Sequence, residues 1–351
     1  MSSDRRGGTV VLLLVAALLA TMPVLSGRLT SAATLAEAVG LPVPRPLADD
    51  VRRHEVSVGE TRADLYDPGL PSDGLLLVPG AAPAGREDER VVRLATALAR
   101  SGFGVLVPDL MLYRGRFVES DLDVLVRSVE TLHRLTDDDV TVLGFSFGGS
   151  MGLVAAADLR VRDLVDTVAT FGAYADLVGL LQAAATGVSI VDGERYPWEP
   201  PPQARRALRQ LALELTPPPQ RHRLAAVLDS GSGAARLPSA ARAAYDVVTA
   251  SRPEDVPRLV DRLPTRSKLL LARFSPAAVA DDVDTRVLAL HSRNDPAVPY
   301  AELLRLRSAF PSARTYTVQS FRHVDVHLDA GLLAVLRDLS TAWRFTDDVL
   351  T

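Results

Sequence analysis

The chain has 351 residues, 47% of them hydrophobic and 23% charged, with a formal net charge of −4 at pH 7. That balance suits a globular protein with a sizeable core and speaks against nucleic-acid binding, which calls for a basic surface. With no cysteine in the chain, disulfides, thiolate metal sites and a cysteine nucleophile are excluded.

Residues 1–27 open with MSSDRRGG and run into TVVLLLVAALLATMPVL, with no charge between Arg6 and Arg28. The apolar run lies between a signal-peptide core, about 7–15 residues, and a spanning helix, about 17–25. It reads as a membrane anchor with Arg5 and Arg6 on the cytoplasmic side and everything after Arg28 outside the cell membrane. The alternative is a signal segment cleaved near Ser31-Ala32-Ala33, which would release a secreted protein. Residues 28–52, rich in Ala, Leu and Pro and ending LPVPRPLADD, read as a linker, because closely spaced X-Pro units favour extended backbone.

Residues 53–351 carry the pattern of one working domain. HEVSVGETRADLYDP (54–68) alternates polar and apolar residues around Gly-Glu, which predicts a hairpin. Short continuous apolar runs follow at GLLLVPG (74–80), FGVLVPDL (103–110), DVTVLGFS (139–146) and LVDTVATFG (164–172). Between them EDERVVRLATALARSG (87–102), SDLDVLVRSVETLHRL (120–135) and GGSMGLVAAADL (148–159) predict helices, the second opened by a Ser120 cap with acids in its first turn. Strands without alternation, separated by amphipathic helices, predict an α/β domain whose mostly parallel sheet is covered on both faces. The rhythm lapses over residues 173–284, where helical pieces are broken by YPWEPPP, TPPP and SGSG. An insertion that long is not a loop and predicts a helical cap. The sheet pattern resumes with TRVLALHS (285–292), a helix from about Tyr300, RTYTVQSF (314–321) and a last helix through AVLRDLSTAW.

LGFSFGGS places the pattern Gly-x-Ser-x-Gly where a predicted strand meets a predicted helix. A nucleophile on so sharp a turn takes a strained backbone and needs small neighbours two positions away, here Gly144 and Gly148. The turn lifts the Ser146 hydroxyl above the sheet and aims the first N–H groups of the helix at a developing oxyanion.

With these parts in order the chain resembles the α/β-hydrolase superfamily of serine hydrolases over roughly residues 56–345. FGAYADLVGLLQAAATG (171–187) and FSPAAV further resemble uncharacterised bacterial members that carry an N-terminal apolar helix. The resemblance implies an α/β-hydrolase fold with a helical cap, and a triad in the order nucleophile, acid, histidine. VLALHSRNDPAVPY matches the acid-bearing segment and points to Asp295; YTVQSFRHVDVH matches the last strand and histidine loop and points to His323. His327 is an alternative base, and Asp176, after the preceding strand, an alternative acid. The family's oxyanion loop, often His-Gly-x, corresponds to LLLVPGAAP, with Pro79 in place of the histidine, Gly80 as the motif glycine, and the N–H groups of Ala81 and Phe147 as donors. That departure removes a side chain that often braces the loop.

The activity implied is cleavage of a carboxylic ester or related acyl bond in a small-molecule substrate, with no metal or organic cofactor, and the sequence allows no obligate protein partner to be inferred. A non-catalytic binding or scaffold protein of the same fold, or an acyltransferase with the same triad, stays open. None of the six histidines falls in a His-Glu-x-x-His spacing. Asp109, His54 and His291 read as structural, His133 as a surface residue of its amphipathic helix, and the arginines Arg205, Arg206, Arg209, Arg221 and Arg223 as a solvated helix face.

Overall fold

In the computed structural model, which describes residues 28–38, 40, 51–69, 73–80, 82, 84–319, 321–322, 325–326 and 332–351, the apolar runs become a sheet of eight strands. Helix α1 (Arg28–Ala38) precedes strands β1 (Arg52–Val58) and β2 (Thr61–Asp67), an antiparallel hairpin turning at Gly59-Glu60. Then β3 (Asp73–Val78), α2 (Glu89–Arg100), β4 (Phe103–Pro108), α3 (Glu119–Thr136), β5 (Val140–Phe145), α4 (Phe147–Ala156) and β6 (Val165–Phe171) alternate. The inserted segment holds α5 (Leu177–Thr186), a hairpin of β7 (Val188–Val191) and β8 (Glu194–Pro197), and helices α6 (Pro202–Glu214), α7 (Arg221–Ser230), α8 (Ser239–Val248), α9 (Val256–Asp261) and α10 (Thr265–Arg273). The sheet resumes with β9 (Arg286–Ser292), α11 (Ala301–Ala309) and β10 (Arg314–Val318). Two short strands follow, β11 (Phe321–Arg322) and β12 (Asp325–Val326), and then α12 (Leu332–Val349).

Strand order in the main sheet is β1-β2-β4-β3-β5-β6-β9-β10. β2 runs antiparallel to β1 and β4, and every pairing from β4 to β10 is parallel. Side chains alternate faces along a strand, so the continuous apolar runs supply two cores at once. Leu76, Val78, Leu106, Val142 and Val168 pack on one face against Leu125, Val129 and Leu132 of α3 and Met151 and Leu153 of α4. Leu75, Leu77, Val105, Val107 and Leu288 pack on the other against Ala95, Leu98 and Ala99 of α2 and Ala342 and Phe345 of α12. Burying one such Leu or Val side chain contributes about 1.5–3 kcal/mol, so both layers are needed to hold the sheet.

Three local expectations change. Residues 28–38, expected as linker, form a helix docked on α2 and α12. Ser31, Ala32, Thr34 and Ala36 are buried there; the Ser31 hydroxyl donates to Asp347 Oδ1 at 2.9 Å, and Glu37 pairs with Arg100. The X-Pro units that argued for extended chain begin only at Pro42 and place no restraint on the residues before them. Secondly, α3 starts at Glu119 with Val118 as its cap residue, and Ser120 lies inside the first turn. Asp121 in that turn is buried and accepts from Met111 N at 3.1 Å and Leu112 N at 2.8 Å, so it ties the helix start to the preceding turn. Thirdly, the insertion is helical except for the β7–β8 hairpin, which turns at Asp192-Gly193. Among the described residues no helix is long and apolar enough to cross a membrane; residues 1–27, where the anchor is expected, lie outside the described residues.

If α1 belongs to the folded body, a charge on its inner face should lift it off. Ala36→Glu is expected to raise amide hydrogen exchange across residues 28–38 and to lower the melting temperature by only a few degrees. The loss is capped at the docking energy of the helix, about 1–3 kcal/mol, because undocking restores water to the carboxylate. Unchanged exchange in that segment would mean the helix does not depend on this contact.

Candidate active site

β3, β5, β6, β9 and β10 are mutually parallel, so the segments leaving their carboxyl ends emerge at one rim of the sheet. Ser146 follows β5, Asp176 lies beyond β6, Asp295 follows β9, and residues 319–326 follow β10.

Ser146 sits at φ 52° and ψ −129°, outside the regions open to ordinary L-residues. Such a conformation costs about 1–3 kcal/mol and persists only where the surroundings hold it. They do so through the Ser146 N–H, which donates to Phe171 O at 2.8 Å, and through contacts that tolerate no side chain. A Cβ on Gly144 would lie 2.4 Å from Gly149 Cα, and one on Gly148 would lie 2.4 Å from the carbonyl oxygens of both Val78 and Pro79. The hydroxyl makes no capping bond to α4, although the residue stands at the helix N-terminus, and its residue is 6% exposed. Phe147, the first residue of α4, belongs to the turn whose N–H groups lack intrahelical partners. Gly80 brings the loop after β3 against this turn, where a Cβ on it would approach Ser146 Cβ to 2.9 Å.

Asp295 is 3% exposed, and its Oδ1 accepts from Ala297 N at 2.7 Å and Val298 N at 2.9 Å. Two backbone donors on one oxygen fix the orientation of the carboxyl group. Buried His291 lies 3.7 Å from Oδ2, and its Nε2 is 3.0 Å from Val298 O. A carbonyl only accepts, so Nε2 carries the hydrogen in this contact and the ring stitches the acid-bearing loop to itself. Asp176 is the N-cap of α5, accepting from Val178 N at 3.1 Å and Gly179 N at 3.0 Å, with Ser275 Oγ at 3.3 Å. His323, His327 and Ala81 lie outside the described residues; β11 and β12, which flank 323–324, pair antiparallel. The Asp109 N–H donates to Arg62 O, and His133 Nδ1 is 2.8 Å from Asp138 O.

Several residues the sequence did not flag build the surroundings. Ser150 Oγ donates to Tyr174 O at 2.8 Å and accepts from Tyr174 N at 3.0 Å, locking α4 to the chain leaving β6. The Tyr174 hydroxyl donates to Phe274 O at 2.8 Å, and burial pushes its phenol well above the usual range, so it stays a neutral donor. Phe147 packs edge-on to Tyr174 and Phe117, with centroids 5.1 and 5.3 Å away. Beside Phe147 opens a small crevice of about 50 Å³, open to solvent on one side, reaching Ala297 and lined on the cap side by α5, α6 and Trp198. Its signal in the sequence is the stripe Ala204, Ala207, Leu208, Leu211 on α6, spaced at i, i+3, i+4, i+7. The stripe reads equally as a core face, which is why it identified no site.

A family model described as the alpha/beta hydrolase fold matches residues 74–330. Among solved structures, a puromycin-hydrolyzing peptidase of Mycobacterium tuberculosis is 17% identical, with a TM-score of 0.50 over 88% of this chain, which spans only 41% of the peptidase's length. The esterase PF2001 of Pyrococcus furiosus is 12% identical with a TM-score of 0.48, covering 89% of this chain and 96% of its own. A meta-cleavage product hydrolase of Pseudomonas fluorescens is 17% identical with a TM-score of 0.44, covering 86% and 96%. No curated protein matches the chain in sequence.

The turn makes a direct demand on Gly148. Gly148→Ala would force a methyl into two carbonyl oxygens 2.4 Å away, and should destabilise the fold by about 3 kcal/mol, the upper end for overpacking, as read by chemical denaturation. A variant of native stability would mean that the approach of the β3 loop to α4 is not as close as described.

Proposed function

The chain belongs to the α/β-hydrolase fold family, and on that premise we propose that it is a serine hydrolase cleaving a carboxylic ester or related acyl bond through an acyl-enzyme on Ser146. What carries the proposal is the Ser146 backbone, held at φ 52° and ψ −129° on the rim from which Asp295 also emerges. A Gly-rich turn without chemistry has no need of strain at its serine.

A serine hydroxyl is a weak nucleophile until a base removes its proton during attack. His323 takes that part, with His327 as the alternative base. Asp295, its Oδ1 tied to Ala297 and Val298, holds the imidazole in the productive tautomer and stabilises the imidazolium. Asp176 spends both oxygens on the start of α5, which favours Asp295 as the acid. The N–H groups of Phe147 and Ala81 receive the oxyanion of the tetrahedral intermediate, and losing one such donor commonly costs a factor of about 10² to 10³. The bond to the leaving alcohol breaks as His323 returns the proton, and water activated by the same ring then releases the acid.

The protein is further proposed to work outside the cell membrane, held by residues 1–27 as an uncleaved anchor. Cleavage after Ala33 would remove the first half of α1, with the buried Ser31 and Ala32 and the Ser31–Asp347 hydrogen bond, from a helix docked on the domain, which supports retention of the segment.

Ser146→Ala should lower turnover of short-chain aryl esters by at least about 10³-fold and abolish labelling by a fluorophosphonate. His323→Ala should match it and His327→Ala should not. Retained activity in Ser146→Ala would end the assignment, and release of acyl groups only to an added alcohol would make the enzyme a transferase. Intact-mass measurement of the protein from membranes should find residues 1–33 still attached; a chain beginning after Ala33 would replace the anchor with a cleaved signal.

A further inference from the structure

Trp198 stands just past β8, and its backbone N–H donates to Gly187 O at 2.8 Å, closing the hairpin onto the end of α5. Its indole Nε1 donates to the backbone carbonyl of Asp295 at 3.0 Å, across 97 residues of chain. The same half-buried indole walls the crevice beside Phe147. Every side chain lining that crevice is apolar, from Leu180 and Leu181 of α5 to Leu208 and Leu211 of α6, and Ala297 brings it to the Asp295 loop. One ring therefore touches both a small apolar crevice beside Phe147, the neighbour of Ser146, and the peptide that carries the proposed triad acid.

We propose that Trp198 is a positioning residue that couples occupancy of this crevice by an apolar acyl chain to the placement of Asp295, so that long-chain acyl substrates gain in kcat and not only in KM. The inference rests on the serine-hydrolase assignment of Ser146. The physical basis is that binding energy from a non-reacting part of the substrate raises kcat only when it is realised at the reacting centre. A chain packed along the indole restricts the ring to the orientation in which its N–H meets Asp295 O. Ångström-scale displacement of a catalytic group is enough to change rates strongly. No atom of Trp198 reaches the reacting centre in this scheme; it acts through Asp295.

Two variants separate the roles of the ring. Trp198→Phe keeps an apolar wall and deletes the N–H, whereas Trp198→Ala deletes both. With the full chain and a series of p-nitrophenyl esters from acetate to octanoate, the native protein should gain roughly fourfold in kcat/KM per methylene, divided between kcat and KM. Trp198→Phe should lose about two- to tenfold in kcat on the long esters, as expected for one hydrogen bond. It should flatten the rise of kcat with chain length, keep the fall of KM, and shift the acidic limb of the kcat–pH profile. Trp198→Ala should also lose the chain-length dependence of KM. Because a variant can fail to fold, a second readout uses the native indole. In Trp343→Phe, Trp198 is the remaining tryptophan of the two, and its emission should move to shorter wavelength with an octyl but not an ethyl fluorophosphonate on Ser146. Native-like kcat, pH limb and chain-length trend in Trp198→Phe, or identical emission for both adducts, would overturn the coupling while leaving the hydrolase standing. A native chain whose Ser146 takes up neither fluorophosphonate would overturn both.

Discussion

The turn at Ser146 can exist only because three backbones meet there with no side chain between them. Gly144 lets the chain fold back onto Gly149, Gly148 lets α4 approach the carbonyls that end β3, and Gly80 lets the next loop close over the serine. Each contact is made by a segment leaving the same rim of the parallel sheet, so the register of β3 against β5, with Val78 opposite Gly144, is a precondition for the strain at Ser146. The buried faces of Leu76, Val78, Val142 and Leu143 hold that register, since a slip by one residue would exchange the two core layers. Core packing and the posture of the serine are thus one problem.

The cap is bound to this rim by a buried polar chain. Glu302, at the start of α11, accepts from Ala175 N at 3.1 Å and Asp176 N at 3.2 Å, and pairs with Arg305. Arg305 reaches on to Gln182 Oε1 of α5 at 3.2 Å and Ile190 O of β7 at 2.7 Å, through space that a side chain on Gly179 would fill. Burial pushes the Glu302 carboxyl above its usual range while Arg305 pulls it down, and the hydrogen bonds to the buried carboxylate make the arrangement tolerable. α11 begins directly beyond the Asp295 loop, so the cap hairpin is joined to that loop by Trp198 on one side and by Arg305 on the other.

Much of this was legible in the sequence because period and punctuation agree. The apolar runs at 74–80, 103–110 and 139–146 each became a buried strand, and the Gly-x-Ser-x-Gly turn fell where strand meets helix. Asp192-Gly193 between VSIV and ERYP carried a hairpin signal as plain as any. It went unread because the surrounding prolines and helical pieces masked a four-residue strand. α1 was missed for a different reason: its burial rests on Ser, Thr and Ala against a helix pair far away in sequence, which no local pattern announces. Trp198 gave no local signal either, since its partner is a carbonyl 97 residues away.

The proline that stands in the place of the loop-bracing histidine asks for a substitute, and the structure offers one at the loop's other end. Arg86, in the turn that follows, pairs with Asp64 of β2 and places its Nη2 2.8 Å from Glu55 Oε2 of β1. Asp64 is itself buried and held on its second oxygen by Arg53 at 2.7 Å. Tyr113 lies against Gly85 and donates to Pro108 O at 2.8 Å, so an aromatic ring backs the same turn. The described residues on either side of this stretch are thus tied, Gly80 by contact with Ser146 and Arg86 by a charge network on the antiparallel edge. The edge hairpin, remote from Ser146 in sequence, thus holds the turn that follows the loop after β3, so the packing of the antiparallel edge and the position of that turn depend on one charge network.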